Sequence, residues 1–149
     1  MNKTARRIAK ALVAGSVAAV SVVALTGSAS ASNVSYLSRG STLYGGDSII
    51  KYVGSGLPGY ELRMQTDGNL VEYRWNNGSV DRVCWSTGTY TQPGAYATYQ
   101  NDGNFVLYSR GGAVLWSTHT ITQDGFSVSI NDRGAMFVGN QQIVGAGIC

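Results

Sequence analysis

The sequence holds a single histidine, His119, and only two cysteines, Cys84 and Cys149. Such a set cannot close a four-ligand zinc site. His119 follows Trp116-Ser117-Thr118 and reads as a surface turn residue, with no serine and aspartate arranged around it for nucleophilic catalysis. The chain has two glutamates, Glu61 and Glu72, and they fall on opposite faces of one expected hairpin. Glycoside hydrolysis needs two carboxyls flanking one bond, so no catalytic residue and no cofactor is expected. Helical spacing is missing as well: no window of a dozen residues places apolar side chains at i, i+3, i+4 and i+7.

Acidic residues are absent from the first 31 positions, which carry Lys3, Arg6, Arg7 and Lys10. An apolar run from Ala11 to Leu25 follows and ends at Ala29-Ser30-Ala31. A basic start, an apolar middle and a small-residue A-x-A end make a bacterial-type secretory signal peptide over residues 1–31. The run is short for a membrane span, which needs about 20 residues. Removal after Ala31 leaves seven basic and eight acidic residues in 32–149, a net charge of −1. The basic character of the whole chain therefore belongs to the leader. No basic footprint for nucleic acid remains, and no attraction to a membrane surface. The expectation is a secreted, extracellular single domain.

That domain is rich in glycine and tyrosine, with only Pro58 and Pro93. Short alternating runs are separated by Asp67-Gly68, Asn77-Gly78, Asp102-Gly103 and Asp124-Gly125. This is an all-β pattern. In a secreted chain two cysteines favour a disulfide. An internal Cys84–Cys149 bridge is the favoured reading, against free thiols or a bridge between chains.

The strongest signal is a repeat. QTDGNLVEY runs from Gln65 to Tyr73, and QNDGNFVLY runs from Gln100 to Tyr108. Each copy is followed by a turn and a strand ending in WSTGT (Trp85–Thr89) or WSTHT (Trp116–Thr120). A worn third copy, SINDRGAMFV, spans Ser129–Val138. Aligned on Asp132, it loses the glutamine, asparagine, valine and tyrosine, and Val144 takes the tryptophan position. Units of this size bury little apolar area alone. Three of them suggest three small sheets around one core.

Reading TDG and NDG as three-residue hairpin loops with a left-handed last glycine fixes the faces, because side chains alternate along a strand. Gln65, Asn69, Val71 and Tyr73 then share an outer face, as do Gln100, Asn104, Val106 and Tyr108. Asp67 and Asp102 sit in the turns beside them. The inner face collects Leu62, Met64 and Leu70, then Ala97, Tyr99, Phe105 and Leu107. Glu72 has inward parity, which suggests a place near a sheet edge. Turn chemistry explains Asp-Gly-Asn. It does not explain glutamine and tyrosine recurring at outward positions around an exposed valine. Carboxylate, amide and phenol together offer donors and acceptors, which suits a neutral polyol. Calcium is disfavoured, because one carboxylate per site cannot supply six to eight oxygens.

At these residues the sequence resembles the bulb-type, mannose-binding lectin family of monocots and its bacterial relatives. The motif of that family is Q-x-D-x-N-x-V-x-Y. The likeness covers nearly all of 32–149 and implies a β-prism II fold: three antiparallel four-stranded sheets around a pseudo-threefold axis. It implies that Asp67 and Asn69 contact the axial 2-hydroxyl of mannose, Gln65 the 3-hydroxyl and Tyr73 the 4-hydroxyl. Val71 would touch the ring carbons. Gln100, Asp102, Asn104, Val106 and Tyr108 match residue by residue, and the third copy carries no site. Plant members usually place a cysteine in the motif loop, where this chain has Gly68 and Gly103. In the family the last strand is often exchanged between subunits, so a homodimer is open and Cys84–Cys149 could be internal or cross it. The implied partner is mannose or a mannosylated glycan, bound weakly at each shallow site and more strongly through multivalency. Two other readings share the fold: a lectin-like bacteriocin, and a structural or protein-binding prism whose sugar sites are vestigial.

Overall fold

The computed structural model describes residues 31–54 and 57–149. The expected leader therefore lies outside the described residues, apart from Ala31. The described chain is all β, as expected. Three two-residue strands open it: β1 (Asn33–Val34), β2 (Leu37–Ser38) and β3 (Thr42–Leu43). Then come β4 (Ser48–Val53), β5 (Leu57–Met64), β6 (Leu70–Asn76) and β7 (Ser79–Ser86). The second unit supplies β8 (Tyr96–Tyr99), β9 (Phe105–Tyr108) and β10 (Val114–Ser117). The third supplies β11 (Ser127–Ile130), β12 (Met136–Val138) and β13 (Gln141–Val144).

These strands form three sheets, ordered β1-β4-β5-β6-β7, β3-β8-β9-β10 and β2-β11-β12-β13. This is the expected β-prism II, with one addition. The first unit brings four strands of its own, so β1 makes its sheet five-stranded and pairs parallel to β4. The second and third units bring three each and are completed by β3 and β2. The opening segment thus laces all three sheets together. Strands of two residues carry too little pattern to be read from sequence.

The inner faces meet in one core. Leu62, Met64, Leu70, Ala97, Tyr99, Phe105 and Leu107 are fully buried, as their parity predicts. Val128, Met136 and Val138 join them from the third sheet. Trp85 and Trp116 close the core edge to face, with centroids 5.3 Å apart. Such aromatic pairs add about 0.5–1.5 kcal/mol beyond their buried area.

One core position breaks the rule. Glu72 is 0 % exposed, and among the described residues neither carboxylate oxygen has a hydrogen-bond partner. The expected edge location is wrong: β6 lies between β5 and β7, and Glu72 pairs with Leu62 and Trp85. Burial pushes its carboxyl from 4.5 up to about 7.

Cys84 and Cys149 form a disulfide within the chain, with Cα atoms 5.0 Å apart. Arg74 Nη1 donates to the Cys149 carbonyl at 3.0 Å, so the terminus is held twice. The bridge spans 65 positions. In the chain-entropy view, closing such a loop contributes roughly 4 kcal/mol. Reduction, or Cys84→Ser with Cys149→Ser, should therefore lower the melting temperature by roughly 15 °C. Thermal unfolding with and without reductant checks this, and an unchanged midpoint would contradict it.

Candidate functional site

The repeated motif folds as read. Gln65 N donates to Asn69 O at 2.8 Å and Gly68 N to Gln65 O at 3.1 Å. The second copy repeats this with Gln100 N to Asn104 O at 2.9 Å and Gly103 N to Gln100 O at 3.0 Å. The loop glycine is required twice over at Gly68. Its φ is +96°, and a Cβ there would lie 2.0 Å from Gln92 O. Across the loop, Gln92 N donates to Asp67 O at 3.0 Å, and Thr122 N to Asp102 O at 2.8 Å.

Among the described residues, each polar motif side chain has one polar atom committed and another unspent. Asp67 Oδ1 accepts from Asn69 N at 3.0 Å, and Asp102 Oδ1 from Asn104 N at 2.9 Å. These are Asx turns, and they leave Oδ2 as an acceptor. Asn69 Oδ1 accepts from Thr87 Oγ1 at 3.0 Å and from Thr89 N at 3.1 Å. Asn104 Oδ1 accepts from Thr118 Oγ1 and Thr120 N, both at 3.2 Å. Because these amide oxygens are engaged by N–H and O–H groups, each Nδ2 faces outward as a donor. Gln100 Nε2 donates to the Tyr108 hydroxyl at 2.6 Å, and Gln65 makes the same bond to Tyr73. That leaves both Oε1 atoms as acceptors and both phenols as donors. Burial raises the Tyr73 phenol above its usual range, opposed by the Arg63 guanidinium and reinforced by Glu61 and Asp67. Its proton therefore stays on at neutral pH.

Sequence reasoning missed the threonines. Thr87 and Thr89 hydroxyls lie 2.7 Å apart, and Thr89 Oγ1 donates to Gly68 O at 2.7 Å. Thr118 and Thr120 repeat both distances, with Gly103 O as the acceptor. So WSTxT is the buttress of the asparagine in each copy. Its repetition was the available signal. The variable residue between the threonines needs a left-handed backbone: Gly88 has φ 72° and His119 has φ 55°. His119 is exposed there, as expected of a turn residue.

Two expectations need correction. Val71 and Val106 are each only 3 % exposed. They have outward parity, but each is a middle-strand residue flanked in register: Val71 by Arg63 and Ser86, Val106 by Thr98 and Ser117. Set between two strands on a central position, the valines form a floor rather than an exposed patch.

The third copy is offset by one residue from its reading on Asp132. Asn131 N donates to Ala135 O and Gly134 N to Asn131 O, at 3.0 and 3.2 Å. Gly134, with φ 73°, is the turn glycine. The glycine, not the aspartate, fixes the register, because only it must be left-handed. Arg133 therefore stands where Asp67 does, Ala135 where Asn69 does and Gly139 where Tyr73 does. Val144 is buried but pairs with Met136, the counterpart of Leu70, so it does not replace the tryptophan. The third loop retains none of the paired donors and acceptors of the first two.

No family model matches the chain, and no curated protein matches it. Solved structures do. A lectin from Allium sativum is 30 % identical, with 68 % of this chain and 90 % of that one covered and a TM-score of 0.53. The mannose-specific agglutinin from bulbs of snowdrop, Galanthus nivalis, complexed with methyl α-D-mannoside, is 25 % identical. It covers 75 % of this chain and 94 % of its own at a TM-score of 0.58. Monomeric monocot mannose-binding lectins from Gastrodia elata reach 29 % identity, covering 75 % and 96 %, at a TM-score of 0.55.

Proposed function

The chain belongs to the bulb-type mannose-binding lectin family, and from that premise we propose that it is a secreted, non-catalytic lectin for α-mannose or mannose-containing glycans. The first site comprises Gln65, Asp67, Asn69 and Tyr73, over Val71. The second comprises Gln100, Asp102, Asn104 and Tyr108, over Val106. One observation carries the reading. The same four unspent groups recur in both copies: a carboxylate acceptor, an amide donor, an amide acceptor and a phenol donor. A sugar diol offers a donor and an acceptor at every hydroxyl, so alternating partners of this kind can satisfy it. The carboxylates contribute charge-assisted bonds, which are the stronger ones. The two Asx turns and the threonine buttresses hold these groups before any ligand arrives, which lowers the ordering cost of binding.

Both sites sit on shallow, exposed turns, so each binds weakly, and two per chain give avidity. Dimerisation would double that number. The leader directs the domain outside the cell, and cleavage after Ala31 frees it. Calorimetric titration with methyl α-mannoside should give a stoichiometry of two and dissociation constants in the millimolar range, about −4 kcal/mol per site. Methyl α-glucoside, which lacks the axial 2-hydroxyl, should bind far more weakly. Equal affinity for the two sugars would refute the assignment to Asp67 and Asn69.

A further inference from the structure

The two sites differ in what lies beside them. A groove, about 730 Å³ with the leader residue Ala31 counted in its rim, opens next to the first site, and Gln65 and Asp67 line both. It runs over the outer face of the first sheet past Arg63 and Ile50 to Tyr52 and Trp75. Its floor is a built polar network. Glu61 is 2 % exposed and accepts from Ser48 Oγ at 2.6 Å, Arg63 Nε at 2.9 Å, Arg63 Nη2 at 3.0 Å and Trp75 Nε1 at 2.9 Å. The Trp75 indole is thereby fixed in orientation, and Arg63 is fixed over the Tyr73 ring at 5.8 Å.

The second sheet has no such arrangement at the matching positions. Glu61 pairs with Tyr73 across the strands, but Tyr96 pairs with Tyr108. Tyr96 stacks on Tyr108 with centroids 5.6 Å apart. Two residues beyond Tyr108 stands the exposed Arg110 rather than a tryptophan. Parity puts Trp75 on the same face as Tyr73, about 7 Å further along the strand, a step of roughly one sugar ring.

We propose that this groove is a subsite of the first site alone, taking the next sugar ring of an oligosaccharide whose terminal mannose lies over Asp67 and Asn69. Trp75 offers an apolar face to the C–H side of that ring, with Tyr52 across from it and Arg63 available to its hydroxyls. The inference rests on the lectin reading of the first site. It makes the two sites unequal: the first reads a disaccharide and the second a single residue.

The test compares methyl α-mannoside with α-linked mannobioses by calorimetry, in an Asn104→Asp background that silences the second site. The mannobiose of matching linkage should bind about tenfold tighter than the monosaccharide. Trp75→Ala should reduce that gain to less than about twofold and leave monosaccharide affinity unchanged. Tyr52→Ala, at a half-exposed position outside the Glu61 network, should reduce it partly and guards against a misfolded tryptophan variant. In wild-type protein the Trp75 indole N–H resonance should shift with mannobiose and not with the monosaccharide. Monosaccharide binding with no gain for any mannobiose overturns the subsite and leaves the lectin reading standing. A gain retained in Trp75→Ala and Tyr52→Ala overturns it as well. Binding of neither sugar overturns both.

Discussion

Glu72→Leu should stabilise the protein by about 3 kcal/mol at pH 8 and by far less at pH 4. The carboxyl lies in the core with both oxygens unpaired, at the place where the second sheet has Leu107 and the third has Val138. Its folded value is about 7 against 4.5 for the ordinary carboxyl. The sign follows directly. Below pH 4.5 the group is protonated whether the chain is folded or not, and it costs no charge burial. Between pH 4.5 and 7 the unfolded chain releases the proton while the folded one keeps it, so stability falls as pH rises. Above pH 7 the full cost of burying the carboxylate is present. Leucine removes the titration and restores the residue type used by the other sheets. The melting temperature at pH 8 should rise by roughly 10 °C, and the gap between variant and wild type should close toward pH 4. Thermal unfolding of both proteins across that range checks it. A gap that does not vary with pH would mean the carboxylate finds a partner.

Much of this arrangement was legible in the sequence, and the illegible parts have physical causes. Parity along the strands separated Leu62, Met64 and Leu70 from Gln65, Asn69 and Tyr73, because alternation is local and each hairpin turn announces itself by Asp-Gly. The same parity could not show that Val71 is covered. Coverage depends on the flanking strands, which set Arg63 and Ser86 on either side of it. Nor could it place Glu72 correctly, since an edge and a centre differ only in how strands are ordered. The β1–β3 segment was silent because a two-residue strand has no period. In the third unit, aspartate was the wrong anchor: Asp132 is free to vary, whereas Gly134 is bound by its positive φ.

The asparagines show most clearly what the structure adds. Read from sequence, Asn69 and Asn104 are sugar contacts at the ends of turns. In the fold their oxygens also hold the WSTxT segments, 18 and 20 residues away for Asn69 and 14 and 16 for Asn104. Truncation to alanine therefore confounds two roles. It strands the Thr89 and Thr120 amides, and an unsatisfied buried donor costs about 1–3 kcal/mol. Asn104→Ala should be the more damaging, because Asn104 is 8 % and Thr120 2 % exposed, whereas Asn69 and Thr89 are only partly buried.

The isosteric pair Asn69→Asp with Asn104→Asp separates the roles. Each aspartate keeps an oxygen where Oδ1 accepts from the threonine hydroxyl and amide, so the buttress survives. Each loses the outward Nδ2 donor and puts a second carboxylate beside Asp67 or Asp102. A hydroxyl that needs an acceptor on one side and a donor on the other then meets two acceptors. Sites built on such hydrogen bonds discriminate steeply when one partner is wrong. Affinity for methyl α-mannoside should fall at least about a hundredfold, below calorimetric detection for a millimolar ligand. The melting temperature should stay within a few degrees of wild type. Binding that persists in the double aspartate variant would remove both asparagines from the sugar site. Loss of the folded state would instead show that a carboxylate cannot take over the buttress.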